Sequence, residues 1–159
     1  MLDVIVWYLI ASLVGWLVFP LAYRLLSKLP DRGLAFLRPL GLLSWGFVYW
    51  LLGSFGIFAN STGEMLLALG LVAGLSLWAG RGRWAEMRDW LRARLGMILI
   101  IEALFLAALV YMAAMRSASP DIIGTEKPME LAFINAILRS PGMPPNDPWL
   151  SGYAISYYY

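Results

Sequence analysis

Cysteine and histidine are absent from the 159 residues, and charge is scarce, with Asp, Glu, Lys and Arg making up 14%. The first two absences exclude disulfides, thiol nucleophiles, imidazole acid–base chemistry and nearly every zinc, copper or haem site. A metal, if one is used, has to be a hard cation such as Mg²⁺ or Mn²⁺ held by oxygen ligands. The scarcity of charge, against about 25% in soluble domains, comes with 61% hydrophobic residues, more apolar surface than a globule of this length can hide. An all-α, polytopic integral membrane protein in contact with membrane lipid is the expected class. Net charge is +2, and the twelve Lys and Arg gather in short loops instead of a stripe matching a phosphate backbone, which argues against nucleic acid as a partner. The start, Met1-Leu2-Asp3, lacks the basic flank of a secretory signal, so the apolar run behind it is read as a retained span.

Uncharged runs place the spans. Val4 to Tyr23 and Leu40 to Ala59 are each twenty residues long, and about 1.5 Å of rise per residue carries such a helix across a hydrocarbon core of about 30 Å. Met65 to Gly80 is shorter at sixteen residues and needs to thin the bilayer, or to borrow Asn60 to Glu64 and snorkel Arg81. Leu95 to Met115 is a fourth span, interrupted by Glu102. Between the third and fourth, Arg81 to Arg94 carries five arginines, with Trp84 and Trp90 interleaved, and reads as a helix lying at the membrane surface. Four transmembrane helices in 1–115 are thus followed by an external loop, 116–159, with a short surface helix and the start of a fifth span.

Charge orients these spans. The linker Arg24 to Arg38 is +4 −1 = +3, and Arg81 to Arg94 is +5 −2 = +3. The turn Asn60 to Glu64 has no basic residue, and everything after Met115 is +3 −4 = −1. The positive-inside rule therefore puts both basic linkers in the cytoplasm, with the N-terminus and residues 116–159 outside a cell membrane.

The last thirty-six residues, Gly124 to Tyr159, combine several carboxylates, Lys127, Arg139, five prolines and a cluster of tyrosines outside any obvious span. Thr125 or Lys127 is placed to cap a helix whose first turn accepts Pro128 and which runs to about Arg139. Met129, Phe133, Ala136 and Ile137 then share one face, expected to rest on the bilayer. Asp147-Pro148 marks a turn, after which Trp149 is expected to open another helix. Because that helix is cut at Tyr159 with no polar flank, further spans are expected beyond it.

The tail DPWLSGYAISYYY, preceded by GTEKPMELAFINAILRS, resembles a prokaryotic membrane-protein family named for its Tyr-Tyr-Tyr signature (Chlor_Arch_YYY), of archaea and Chloroflexi. More distantly, the same stretch is similar to the first external loop of GT-C glycosyltransferases, which use polyprenyl-phosphate sugars. Those enzymes place an acidic pair outside a membrane helix, then a surface helix, then a proline-rich turn with a further acid. Glu126 falls where the first acid stands and Asp147 near the last, whereas Lys127 occupies the position where the second member of the pair is usually acidic.

The resemblance implies a glycosyltransferase with Glu126 and Asp147 as catalytic candidates. Lys127, Arg139, Tyr153 and Tyr157 become candidates for holding a polyprenyl-phosphate sugar. Transfer to a hydroxyl needs a base at the acceptor and positive charge at the departing phosphate. Glu126 would be the base, Lys127 or Arg139 would face the phosphate, and Asp147 would orient the acceptor or hold Mg²⁺ or Mn²⁺. Ordinary readings stand beside these: external acids are usually solvated, and Tyr153 and Tyr157 to Tyr159 suit an interfacial aromatic belt. Glu102, about 21 Å along a helix from Arg116, is too deep to reach an external centre and is expected to pack in a hydrogen bond. Gly70 and Gly74 have the spacing of a close helix contact, and Asn60-Ser61-Thr62 matches a glycosylation sequon too near the membrane to be used. The competing class is a non-catalytic membrane protein, either a transporter segment or an assembly scaffold.

Overall fold

Helix-forming apolar runs broken by Pro, Gly and short polar stretches give an all-helical chain. The computed structural model describes residues 2–124 and 126–156. Its helices are α1 (Leu2–Leu17), α2 (Phe19–Leu25), α3 (Leu37–Ser54), α4 (Thr62–Ala79), α5 (Trp84–Arg92), α6 (Leu95–Ala118) and α7 (Lys127–Arg139), with a 3-10 turn at Leu34–Phe36. Among the described residues the one extended feature is an isolated bridge between Asn146 and Ala154.

Among the described residues three segments are long and apolar enough to cross a bilayer: Leu34–Ser54, Thr62–Ala79 and Leu95–Ala118. The pair α1 and α2, bent by 47°, makes a fourth if it is one span. No residue of α6 is buried, and Leu99, Ile100, Leu104 and Val110 on it are exposed. Apolar side chains presented all around a helix call for lipid as solvent. The chain is thus a multi-pass membrane protein. The third span gains length by taking residues 62–64 into the helix. Ser61 makes this possible: its Oγ accepts from the Glu64 backbone N–H at 3.3 Å and donates to the Glu64 carboxylate at 2.8 Å, so it caps the first turn.

The chain forms two compact units. Unit 1 holds Met1–Trp45 and Gly70–Ser119, and unit 2 holds Gly46–Leu69 and Pro120–Tyr159.

In unit 1 the bend between α1 and α2 follows from Pro20, which stands in the first turn of α2 and has no N–H to give. The next donor, the Leu21 N–H, is taken up by the buried Ser76 Oγ of α4 at 3.2 Å, as a backbone group freed inside a membrane requires. Close approach of α1 to α3 depends on two glycines. A Cβ on Gly41 would lie 2.6 Å from the Val14 carbonyl oxygen, and one on Gly15 3.0 Å from the Arg38 nitrogen. Gly70 and Gly74, by contrast, meet nothing within 4 Å and are exposed. The small-residue contact expected from their spacing is made by a pair on two different helices.

Unit 2 is built on α7 and the loop after it. Phe133 is buried and meets the Trp149 ring edge-on, with centroids 5.2 Å apart. The face bearing Met129, Phe133, Ala136 and Ile137 is the sheltered one, as its spacing indicated, but its central ring rests on protein. Leu131, Ile134 and Leu138 are the exposed apolar residues of this helix. Trp149 does not open a helix within the described residues. Asp147 Oδ1 accepts from the Trp149 and Leu150 N–H groups at 2.8 and 2.9 Å, Gly152 adopts φ +84°, and the Ile155 N–H returns to the Pro145 carbonyl at 2.8 Å. A side-chain acceptor at the turn outcompeted the helix that the apolar composition suggested. The terminal tyrosines 157–159 lie outside the described residues.

Candidate functional site

The candidate site lies in unit 2, where the C-terminal half of α7 meets the loop 140–155. A serine joins the two. Ser140 is buried, donates through Oγ to the Ala136 carbonyl at 2.8 Å, and accepts from the Asn146 N–H at 2.7 Å. Asn60 closes the same corner: its side-chain amide donates to the Ile137 and Ser140 carbonyls, its Oδ1 accepts from the Tyr49 hydroxyl at 2.6 Å, and its N–H donates to the Pro141 carbonyl at 2.8 Å. Helices end with unpaired carbonyls, and here one asparagine from the turn before α4 takes the Ile137 carbonyl in the last turn of α7 and the Ser140 carbonyl just beyond it. The sequon asparagine is therefore spent on packing.

Beside this corner is an open cleft of about 480 Å³ lined by Ala132, Asn135, Ala136, Arg139, Ser140, Asn146, Asp147 and Pro148. It brings together two of the candidate residues, Arg139 and Asp147, and adds two side-chain amides that sequence reading did not single out. Asp147 is held firmly: its N–H donates to the Tyr153 carbonyl at 2.8 Å and its Oδ1 takes the two N–H groups already described. A cation, a carboxylate and two amides around an open space can bind hydroxyls or a phosphate ester.

Glu126 and Lys127 stand exposed at the other end of α7. Glu126 occupies the cap position without a side-chain capping bond, and the thirteen residues from it to Arg139 span about 20 Å of helix axis. Lys127 and Arg139 therefore do not face one phosphate. Tyr153 is exposed, its carbonyl serving to hold Asp147, and Tyr157 and Thr125 lie outside the described residues. The donors do not suit Mg²⁺ or Mn²⁺. Asp147 is the one carboxylate of the cleft, its Oδ1 is already shared by two N–H groups, and no group of three acidic residues occurs among the described residues.

A second polar cluster lies in unit 1, inside the spans. Arg38, in the first turn of α3, forms an ion pair with Glu102 of α6 and donates from Nε and an Nη to Ser12 Oγ of α1 at 3.2 and 3.0 Å. The Tyr8 hydroxyl donates to the same Glu102 oxygen at 2.7 Å. The guanidinium also lies 3.9 Å from the Phe105 ring centroid. The hydrogen-bonded packing role expected for Glu102 is met, with an arginine that charge counting had left in the cytoplasmic linker. An acid inside a membrane requires a partner, and the first cation before a span is within reach of one helical turn. That reasoning makes Arg38 a candidate, and the fold selects it. The cleft's Asn135 and Asn146 carried no such signal, being ordinary polar residues until the loop folds back.

No curated protein and no solved structure matches the chain. The model of the family described as Uncharacterized membrane protein (DUF2298) matches residues 44–159, which take in α7, the loop and the cleft, and the chain belongs to that family.

Proposed function

We propose that the chain belongs to a membrane glycosyltransferase of the GT-C kind, acting at the outer face on a polyprenyl-phosphate-linked sugar. The observation that carries the reading is the cleft of Asn135, Arg139, Asn146 and Asp147 at one end of α7, with Glu126 and Lys127 at the other. Resemblance of the stretch from Glu126 to Asp147 to the first external loop of such enzymes supports it. So does the charge balance of −1 after Met115, against basic linkers of +2, with Arg38 paired inside the spans, and +3, which under the positive-inside rule favours 116–159 on the outer face.

In this reading the acceptor hydroxyl loses its proton to Glu126 as its oxygen bonds to the anomeric carbon. The bond from that carbon to the phosphate oxygen breaks, and the phosphate leaves with both electrons. Lys127, one residue away, is the cation for that phosphate, since Arg139 is about 20 Å along the helix. Arg139 and Asp147 hold a more distant part of the acceptor, and Tyr153 and the terminal tyrosines contribute at the membrane interface.

Glu126→Gln is expected to abolish transfer in cells while insertion and protein level stay unchanged. Arg139→Gln and Asp147→Asn are expected to raise the acceptor KM with a smaller change in kcat. Unaltered surface glycan or glycolipid in the Glu126→Gln strain rejects the reading. The bent α1–α2 pair and the Arg38–Glu102 pair are features of a transporter segment. Solute uptake lost in R38M/E102M, which replaces both charges and is expected to keep the fold, with glycans intact in Glu126→Gln, would establish that alternative.

A further inference from the structure

We propose that unit 1 carries a site for an anionic phospholipid at α5, with the headgroup phosphate on Arg88 and Arg92 and an acyl chain along Phe19, Leu91 and Leu95. A crevice of about 270 Å³ opens there with an almost wholly apolar lining, to which Arg88 and Arg92 contribute their aliphatic stems while their side chains remain exposed at its rim. Helical spacing accounts for the arrangement. Trp84, Met87 and Leu91 form the apolar face of α5, Met87 is buried in the protein, and Arg88 and Arg92 follow one position behind Met87 and Leu91 at the edge of that face. An interfacial helix holds the edge of its apolar face at headgroup depth, where arginine meets lipid phosphate.

The two guanidiniums share a single acid. Asp89 Oδ1 lies 3.3 Å from Arg88 Nε and 4.0 Å from Arg92 Nη1, and all three side chains are exposed. The other acid of this helix, Glu86, is engaged by the Tyr23 hydroxyl at 2.9 Å. Glu86 keeps its charge but is held on the Tyr23 side, so at the rim two guanidiniums face the single carboxylate of Asp89 and a net +1 remains there. The neighbouring basic group Arg94 stacks 4.5 Å from the Trp90 ring centroid, and Arg81 and Arg83 precede the helix outside the crevice. Free phosphate would use the arginines but not the apolar floor, whereas a phospholipid uses both. The floor therefore selects the lipid source.

Native mass spectrometry of the whole protein in neutral detergent tests this, with phosphatidylglycerol, phosphatidylcholine and inorganic phosphate as probes. Phosphatidylglycerol is expected to bind about 10- to 30-fold more tightly than phosphatidylcholine, the gain of two cations at a headgroup. R88Q/R92Q is expected to remove that preference, and R81Q/R83Q, which deletes the same charge outside the crevice, to keep it within about twofold. Equal affinity for the two lipids overturns the proposal. So does equal loss in the two variants, which would mean diffuse attraction, or displacement of phosphatidylglycerol by inorganic phosphate at matched concentration.

Discussion

Arg38 and Glu102 define what single residues contribute to this protein. Their side chains are 11% and 23% exposed, and each is the other's charge partner in unit 1. Removing one leaves a sheltered charge without its counterion, a loss of about 3–5 kcal/mol, while replacing both with uncharged residues of similar size costs far less. Glu102→Ala is therefore expected to lower the midpoint of thermal unfolding in detergent more than R38M/E102M does. Equal midpoints for the single and double variants would show that the pair is not coupled. Asn60 is the corresponding residue of unit 2. Asn60→Ala removes the donor for the Ile137 and Ser140 carbonyls and the acceptor for Tyr49, with a loss of about 1–3 kcal/mol for groups left unpaired. Faster hydrogen exchange confined to the end of α7 and the loop 140–155 is the expected readout.

Helix–helix approach is decided at the scale of elements. Gly15 and Gly41 let the backbones of α1 and α3 touch, and the atoms a Cβ would strike belong to main chain that cannot turn aside. Gly41→Ala is expected to destabilise unit 1 by about 1–3 kcal/mol, the usual range for overpacking, and Gly70→Ala to leave the unfolding midpoint unchanged or raise it, since a helical glycine in open space gains from a methyl. A Gly70→Ala variant that unfolds earlier than Gly41→Ala would contradict this. The spacing of Gly70 and Gly74 suggested a contact because small residues four apart share a face. What that face meets is a tertiary matter, and a Cβ added at Gly70 or Gly74 would find no neighbour within 4 Å among the described residues. The run Val4 to Tyr23 was expected as one continuous span; Pro20 accounts for the break between α1 and α2, and the stabilising partner of that break, Ser76, lies fifty-five residues from Leu21. The helices at 84–92 and 127–139 were legible as elements, because charge, tryptophan and proline mark helix ends locally. The first, however, was expected over 81–94, and the second was expected to rest Phe133 on the bilayer and not on Trp149.

For the whole molecule, composition settles the solvent, and charge is the basis of the proposed orientation. With Arg38 withdrawn into its ion pair, the first linker still carries +3 −1 = +2 from Arg24, Lys28, Arg32 and Asp31, so the orientation argument survives the correction. A cysteine placed at position 126 is expected to react with an impermeant maleimide added to intact cells, and one at position 83 only after lysis. The opposite pattern would remove the case for sugar transfer at the outer face, while the lipid site at α5 would then face the other leaflet and still bind phosphatidylglycerol.

By itself the sequence determined that this is a helical, multi-pass membrane protein with short amphipathic helices at α5 and α7, since apolar run length, arginine clustering and proline position act over one or two helical turns. Tertiary structure alone decided that Arg139 and Asp147 share a cleft while Glu126 does not, that Arg38 belongs to Glu102, and that Trp149 enters a turn. Each of these depends on a carbonyl or carboxylate finding its donor across the fold, and the same polar residue can be solvated or paired until its partner arrives.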